Sequence, residues 1–97
     1  MRAGFEVNLE QAYAYPNPYY ADGQHDGIYF DSLTQGSVIK IFTIAGELVK
    51  EIRVENSPQR WDVRNESGKQ IASDIYLYLI KDPAGHKKVG KLGVINK

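Results

Sequence analysis

Residues 38–43 read Val-Ile-Lys-Ile-Phe-Thr, and residues 74–81 read Asp-Ile-Tyr-Leu-Tyr-Leu-Ile-Lys. The first stretch is the clearest β-branched run in the chain, and Ile39 and Ile41 alternate with Lys40, as in a strand that buries one face. The second stretch is apolar on both faces, which is typical of a strand in the middle of a sheet. Both stretches indicate strands, and neither keeps a helical period.

The rest of the chain continues this pattern of short apolar runs separated by Gly, Pro, Asn, Asp and Ser, which predicts strands joined by turns. The prolines of Pro16-Asn17-Pro18 cannot donate backbone hydrogen bonds, so a strand over residues 12–15 must leave its sheet there. The other predicted strands span residues 28–31, 38–43, 47–55, 59–63, 74–81 and 86–95. About seven strands without a crossover helix favour an all-β fold, an immunoglobulin-like antiparallel β-sandwich, with a closed barrel as the alternative.

The strand predicted over residues 47–55 is only partly regular. Leu48, Ile52 and Val54 are expected on one face, and Lys50 interrupts their row. We therefore expect this strand to be half exposed to solvent.

The chain divides into two unequal parts. In residues 1–11, apolar residues alternate with polar ones, so this part is either a linker or an extra N-terminal strand. Residues 12–97 show no composition shift and no internal repeat, and we expect them to form one module.

Composition excludes several classes of function. The 12 Lys and Arg residues balance the 12 Asp and Glu residues, which removes the long-range field typical of nucleic-acid binders. There is no cysteine, so a disulfide framework, a thiolate zinc site and a cysteine nucleophile are excluded. No stretch approaches the roughly 18 apolar residues of a membrane helix.

An ordered series of landmarks runs along the chain: Tyr15-Pro16-Asn17-Pro18, residues 39–49, Trp61-Asp62, residues 65–69, Ala72-Ser73, residues 75–78 and Lys91-Leu92-Gly93-Val94-Ile95. In this order they resemble the type A C-terminal sorting domains of type IX secretion cargo. The Ig-like module of flagellar hook-capping proteins is similar too. The resemblance covers about residues 12–97.

The resemblance implies that the chain is the last piece of a larger exported protein of a Gram-negative bacterium, secreted or held at the cell surface. Such domains carry cargo across the outer membrane, and a sortase-like peptidase commonly removes them during attachment to surface lipopolysaccharide. Similar modules also end extracellular enzymes and adhesins, so a structural or adhesive module that mediates protein contacts is the alternative. No cofactor is implied.

Two residues depart from the family's pattern. Val63 and Asp74 stand where the family usually has glycine. Aspartate tolerates left-handed backbone angles better than most residues, so Asp74 is a mild change. A β-branched Val63 is strained if its site demands a positive φ.

We expect a protein partner to recognise the last strand and the proline loop. The residues concerned are Lys87, Lys88, Lys91, Leu92, Val94, Pro16, Asn17 and Pro18. The lysines form a basic strand that an acidic receptor would read, although edge strands also carry lysine to block sheet-to-sheet pairing. The expected partner is the export machinery or another protein, or a second copy through an edge strand, and neither nucleic acid nor a small-molecule substrate.

Aromatic side chains at the centre of the chain have two interpretations. Trp61, Tyr76 and Tyr78 form either a stacking surface or part of the core, and in a domain this small we predict the core. On the strand that carries the tyrosines, Leu77 and Leu79 face the other way. This apolar surface exceeds what one core needs, so a loop or a partner is expected to cover it.

Candidate ligands for a metal occur in two turns. Asp22, Asp26 and Asp31 offer hard oxygens suited to calcium. A second oxygen cluster comprises Asp62, Asn65 and Glu66. Turn capping is the competing role, and the predicted metal content is none.

Catalytic chemistry is poorly represented. His25 and His86 are the only histidines, and the chain contains neither a Gly-x-Ser-x-Gly elbow nor a glycine-rich phosphate loop. We therefore predict no catalytic residues and no enzyme activity.

Overall fold

The computed structural model describes residues 4–96, which fold into two β-sheets. The strands are β1 (Tyr13–Tyr15), β2 (Tyr19–Ala21), β3 (Ile28–Asp31), β4 (Val38–Thr43), β5 (Leu48–Arg53), β6 (Gln59–Trp61), β7 (Asp74–Lys81) and β8 (Lys87–Asn96). The smaller sheet has the order β1-β3-β6, and the larger has the order β2-β8-β7-β4-β5. The predicted all-β sandwich is confirmed, and so is the central position of β7. No helix in the described part of the chain is long and apolar enough to cross a membrane.

The proline loop moves the chain from one sheet to the other. β1 pairs with β3 in the smaller sheet, and after Pro16-Asn17-Pro18 the chain re-enters as β2 in the larger sheet. The prediction that the chain leaves its sheet here is confirmed. However, β2 was not predicted, and it pairs parallel to β8, so the expectation of purely antiparallel pairing is wrong at this strand. Three residues are too few to show a period of two.

β5 departs from the alternation expected of residues 47–55. The β4–β5 register shifts between Ile41 and Phe42, so that Phe42 pairs with Leu48 on the outer side of the sheet. Leu48 is accordingly exposed, whereas Val49 and Ile52 pack against the core. The prediction that Leu48 shares a face with Ile52 is wrong because a β-bulge inserts one residue between them.

The predicted core aromatics are confirmed. Trp61 is 2% exposed, and its indole nitrogen donates a hydrogen bond of 3.0 Å to the carbonyl of Arg64. Tyr76 is buried, and its hydroxyl donates to the carbonyl of Ala72. Tyr78 packs edge-on against Phe30 across the interior, with ring centroids 5.3 Å apart. Aromatic contacts of this kind join the two sheets.

Residues 4–12 form turns rather than a strand. A single parallel bridge joins Glu6 to Thr34, with the Glu6 amide 2.7 Å from the Leu33 carbonyl. Leu9 is nevertheless buried in the sandwich, so this segment contributes to the core. Residues 1–3, the rest of the predicted linker or extra strand, lie outside the described residues.

Val63 has the backbone angle that the resemblance associates with glycine. Its φ is +60°, and its side chain is 3% exposed. Asp74, by contrast, is not among the residues with positive φ in the described part of the chain; it begins β7, and its carboxylate accepts a hydrogen bond from the Ile75 amide. The strain expected of a β-branched residue in this conformation therefore applies to Val63 and not to Asp74.

We expect Val63→Gly to be more stable than Val63→Ala, by about 1 kcal/mol in the free energy of unfolding. Both variants lose buried apolar surface, but only glycine removes the left-handed backbone cost of about 1–2 kcal/mol. Chemical denaturation measures the difference. At Val54, which is buried without a positive φ, the order should reverse, because glycine in ordinary backbone costs about 0.5–1 kcal/mol more than alanine. A Val63→Gly variant with a lower free energy of unfolding than Val63→Ala would contradict the backbone strain assigned to Val63.

Candidate docking site on the last strand

β8 is paired unequally on its two sides. One side pairs with β7 from Lys87 to Val94. The other side pairs with β2 only over Val94, Ile95 and Asn96. The first half of β8 therefore lies at the edge of the larger sheet, where unpaired backbone groups are a template for another strand.

The side chain of Asn17 covers the middle of this edge. Its Nδ2 donates to the carbonyl of Lys91 at 2.8 Å, and its Oδ1 accepts from the amide of Gly93 at 3.0 Å. The amide thus makes the pair of bonds that a neighbouring strand would make. Pro18 lies directly over Gly93, because a Cβ placed there would be 3.2 Å from the Cβ of Pro18. The proline loop and the last strand, both predicted recognition sites, are in direct contact.

We expect Asn17→Ala to lower the free energy of unfolding by about 1 kcal/mol, since two partly exposed hydrogen bonds are lost. The effect that is specific to this contact is faster hydrogen exchange at the Gly93 amide, which NMR measures. The Leu92 amide should keep its protection, because alternate residues of β8 bond to β7. Asn17→Asp keeps the acceptor for Gly93 and should retain most of that protection. Unchanged exchange at Gly93 in the alanine variant would contradict the proposed role of the amide.

The predicted recognition residues of β8 divide between its two faces. Leu92 and Val94 are buried in the core, so their side chains are out of reach of a partner on the folded surface. Lys87 and Lys91 are exposed on the outer face. Lys88 points the other way, and its ammonium donates to the Glu10 carbonyl at 2.9 Å, which ties the N-terminal segment to the strand. Whether a partner reads these lysines stays a prediction.

The outer face of the larger sheet is a regular array. Across the strands, register places side chains in three rows: Lys87, Lys81, Val38 and Arg53; then Val89, Leu79, Lys40 and Glu51; then Lys91, Leu77, Phe42 and Leu48. Val89 is 65% exposed, and Ile75, just beyond the third row, is 51% exposed. The apolar surface predicted around Leu77 and Leu79 is thus open to solvent at its margins. We call these three rows the outer face.

One end of the outer face is concave. A cleft of about 310 Å³ lies beside the turns that precede β4 and follow β7. The side chains that line it include Val38, Lys40, Leu79, Lys81 and Pro83. The cleft therefore combines an apolar floor with two ammonium groups, and the acidic residues Glu51 and Asp82 also line it.

A buried polar network fixes the turn after β7. One oxygen of Asp82 accepts from the hydroxyl of Thr34 at 2.6 Å and from Nδ1 of His86 at 2.7 Å, and the other accepts from the His86 amide at 2.8 Å. The Ser37 hydroxyl lies 2.8 Å from that of Thr34. Burial alone would raise the pKa of Asp82, but these hydrogen bonds lower it to about 2. Sequence reasoning predicted the turn but not this network, because Thr34 lies 48 positions away.

The three aspartates considered for calcium serve separate turns. Asp22 accepts from the Gln24 amide, which lowers its pKa, and Asp31 accepts from the Ser32 amide. Asp26 accepts from the hydroxyl of Tyr29. Within residues 4–96, no three His, Cys, Asp or Glu side chains are grouped so as to hold a metal.

The second oxygen cluster is likewise divided among backbone contacts. Asn65 caps its turn through the amides of Ser67 and Lys69. Glu66 reaches the free edge of β5, where its carboxylate accepts from the Glu51 amide at 2.9 Å, and this hydrogen bond lowers its pKa. Its own amide donates to the Val49 carbonyl. Glu66 therefore covers the edge of β5 much as Asn17 covers that of β8.

The two packed sheets define the chain as an immunoglobulin-like β-sandwich domain. Among solved structures, it is similar to PorZ, an essential bacterial surface component of the type IX secretion system of Porphyromonas gingivalis. Identity is 28% and the TM-score 0.79, over 91% of this chain and 12% of that one. It also shares its fold with the dimeric latent PorU of the same organism, with 21% identity and a TM-score of 0.62, over 89% of this chain and 9% of that one.

No protein-family profile matches the chain, and no curated protein matches it either. The chain corresponds to a small part of each structural relative. The resemblance to type IX secretion proteins is confirmed at the level of a related Ig-like domain. The similarity to these structures does not extend to the narrower assignment, which is to type A sorting domains.

Proposed function

We propose that the chain is a non-catalytic C-terminal sorting or anchoring module, which directs an exported cargo protein across the outer membrane to the cell surface. Its partner in this role is the export machinery, and its place is outside the cell or at the surface as part of a larger protein. The observation that carries the proposal is the likeness to a domain of PorZ over nearly the whole chain.

Two features of the structure support this role. The proline loop and the last strand, which hold the first and last landmarks of the resemblance, are joined through Asn17. They form one exposed margin of the sandwich, because Asn17, Lys87 and Lys91 are all exposed. A receptor can therefore contact Asn17 and Lys91, one exposed residue from each landmark, at the same time on a folded domain.

We expect the whole chain, fused behind a reporter that carries a signal peptide for export to the periplasm, to bring the reporter to the surface or medium of a bacterium with type IX secretion. The measurement is the fraction of reporter outside the cell. A host whose secretion channel is deleted is the first control and should retain the reporter in the periplasm. A fusion that is folded by protease resistance, yet stays in the periplasm of the complete host, would contradict the proposal.

A structural or adhesive module is the alternative, and the open half of β8 favours it. The backbone at Lys87 and Val89 faces no strand within residues 4–96 on the side away from β7. An unpaired strand edge of this kind is where a second chain can add a strand. The fusion experiment separates the two functions. Periplasmic retention of a folded fusion, together with self-association of the purified chain, supports the alternative.

A further inference from the structure

The outer face carries an excess of positive charge, and acidic residues elsewhere in the chain balance it. Its five cations, Lys40, Arg53, Lys81, Lys87 and Lys91, face a single carboxylate, that of Glu51. The chain as a whole is neutral, with 12 basic and 12 acidic residues. The excess of positive charge is therefore a local property of this face.

None of these five cations has an ion-pair partner among the described residues. The ion pairs in residues 4–96 join His25 to Asp22, Lys50 to Glu66, Arg60 to Asp26 and His86 to Asp82. Asp82 borders the cleft, but its carboxylate is held by Thr34 and His86. Within the outer face, only the carboxylate of Glu51, opposite Lys40, offsets this positive charge.

The placement of the cations costs stability. Lys81 and Lys87 are directly opposite each other on β7 and β8, a like-charge cross-strand pair that destabilises a sheet. Val38 separates this pair from Arg53 in the same row. Protection of an edge requires lysine on the edge strand, but it does not require a facing lysine on the central strand β7.

Apolar side chains lie within the same array. Leu79 and Val89 are adjacent across β7 and β8, next to the cationic row, and Val89 is 65% exposed. The cleft beside Val38 and Pro83 is wide enough to take a side chain. A ligand that matches this face must offer carboxylates and apolar groups together.

We propose that the outer face is a docking site for an acidic protein segment that presents carboxylates and apolar side chains together on one of its sides. An extended peptide meets both requirements when carboxylates and apolar side chains share its every-second positions, because alternate residues of a strand point to the same face and sheets pack face to face through such rows. A second copy of the same face would bring its cations against cations. The proposal goes beyond export and does not depend on it, because it is tested on the purified domain.

The test is a titration of the isotope-labelled whole chain with an eight-residue synthetic peptide, followed by NMR. Glutamate and valine occupy the odd positions of the peptide in turn, and serine occupies its even positions, so that one side of the extended peptide carries both. We expect the largest shifts at Val38, Lys40, Leu79 and Val89. Affinity should fall as salt rises, because the contacts are partly exposed charges. A peptide with serine in place of the apolar residues should bind more weakly, and one with lysine in place of glutamate should not bind.

Charge reversal tests the site itself. Lys81→Glu and Lys87→Glu should each weaken binding of the acidic peptide by about tenfold. Lys69→Glu, an exposed lysine in the turn before residue 70 and away from the outer face, is the matched control and should change affinity by less than about twofold. Lys81→Arg, which keeps the positive charge, should retain the affinity, so that the weakening in Lys81→Glu is assigned to charge and not to loss of folding.

Three results would overturn the proposal. The first is no binding of the acidic peptide, or shifts confined to other surfaces. The second is equal weakening by Lys69→Glu. The third is binding of vesicles rich in phosphatidylglycerol that is tighter than peptide binding and lost in Lys81→Glu, which would make the face a site for a membrane surface.

Discussion

Gly90→Ala should lower the free energy of unfolding by about 3 kcal/mol, the cost of overpacking a well-packed core. Gly90 pairs across the strands with Tyr78, and the tyrosine ring lies over it. A Cβ at residue 90 would come within 2.6 Å of ring atom Cε2, and nearer still to Cζ and the hydroxyl oxygen. The ring cannot swing aside freely because it packs against Phe30 in the interior. For a domain with a stability of about 5–15 kcal/mol, this is a large loss.

Denaturant unfolding measures this loss, and the chain supplies a matched control. Gly93→Ala adds the same methyl group three residues further along β8, where its nearest neighbour, the Cβ of Pro18, is 3.2 Å away. It should cost only about 1 kcal/mol, because a surface loop yields more easily than the core. Equal losses at the two glycines would show that the ring of Tyr78 is not held over Gly90.

A double variant isolates the contact between Gly90 and Tyr78. Tyr78→Leu removes the ring that the new methyl group meets, so Tyr78→Leu with Gly90→Ala should be more stable than the sum of the single losses, by about 2 kcal/mol. Additive losses would instead assign the cost of Gly90→Ala to the backbone of β8.

The second large effect concerns Asp82, whose ionised form is held in the folded state. Its pKa is about 2 there, against about 3.9 in an unfolded chain. A lowered pKa in the folded state means that the contribution to stability is complete above about pH 4 and is lost as the pH falls towards 2. We expect this carboxylate to account for about 2 kcal/mol of the stability lost in that range.

Asp82→Asn should remove this part of the pH dependence. At neutral pH the variant should also be less stable, by about 3 kcal/mol, because one amide oxygen cannot accept the hydrogen bonds from Thr34 and His86 that the carboxylate accepts. The measurement is the free energy of unfolding at a series of pH values between about 2 and 7. Glu47→Gln, at an exposed carboxylate in the turn before β5, should leave both quantities nearly unchanged. A variant with the wild-type acid profile would contradict the assignment to Asp82.

Local pattern predicted most of the strands. The boundaries of β3, β4 and β7 agree with the alternation of their residues, and the expected burial of Trp61 and Tyr76 is confirmed. Two predictions were wrong, and each has a physical cause. β2 is too short for an alternation of apolar and polar residues to be detected. The bulge opposite Phe42 moves the side chain of Leu48 to the other face of the sheet, and the composition of β5 does not indicate it.

The candidate site was predictable only in part. The landmarks at Asn17 and Lys91 were identified, but their direct contact was not, since 74 positions separate them. The same applies to the cationic row of the outer face. Lys81 and Lys87 are seen to oppose each other only once the register of β7 and β8 is known.

The amino-acid sequence by itself determined where most of the strands form and most of the side chains that they bury, because the alternation of apolar and polar residues acts over a few neighbours. Only the tertiary structure decided how the candidate docking site is assembled. It placed Asn17 along the edge of β8, aligned the lysines of β7 and β8, and enclosed Asp82 beside Thr34. Each of these depends on contacts between residues distant in the chain, and pairing between strands sets those contacts.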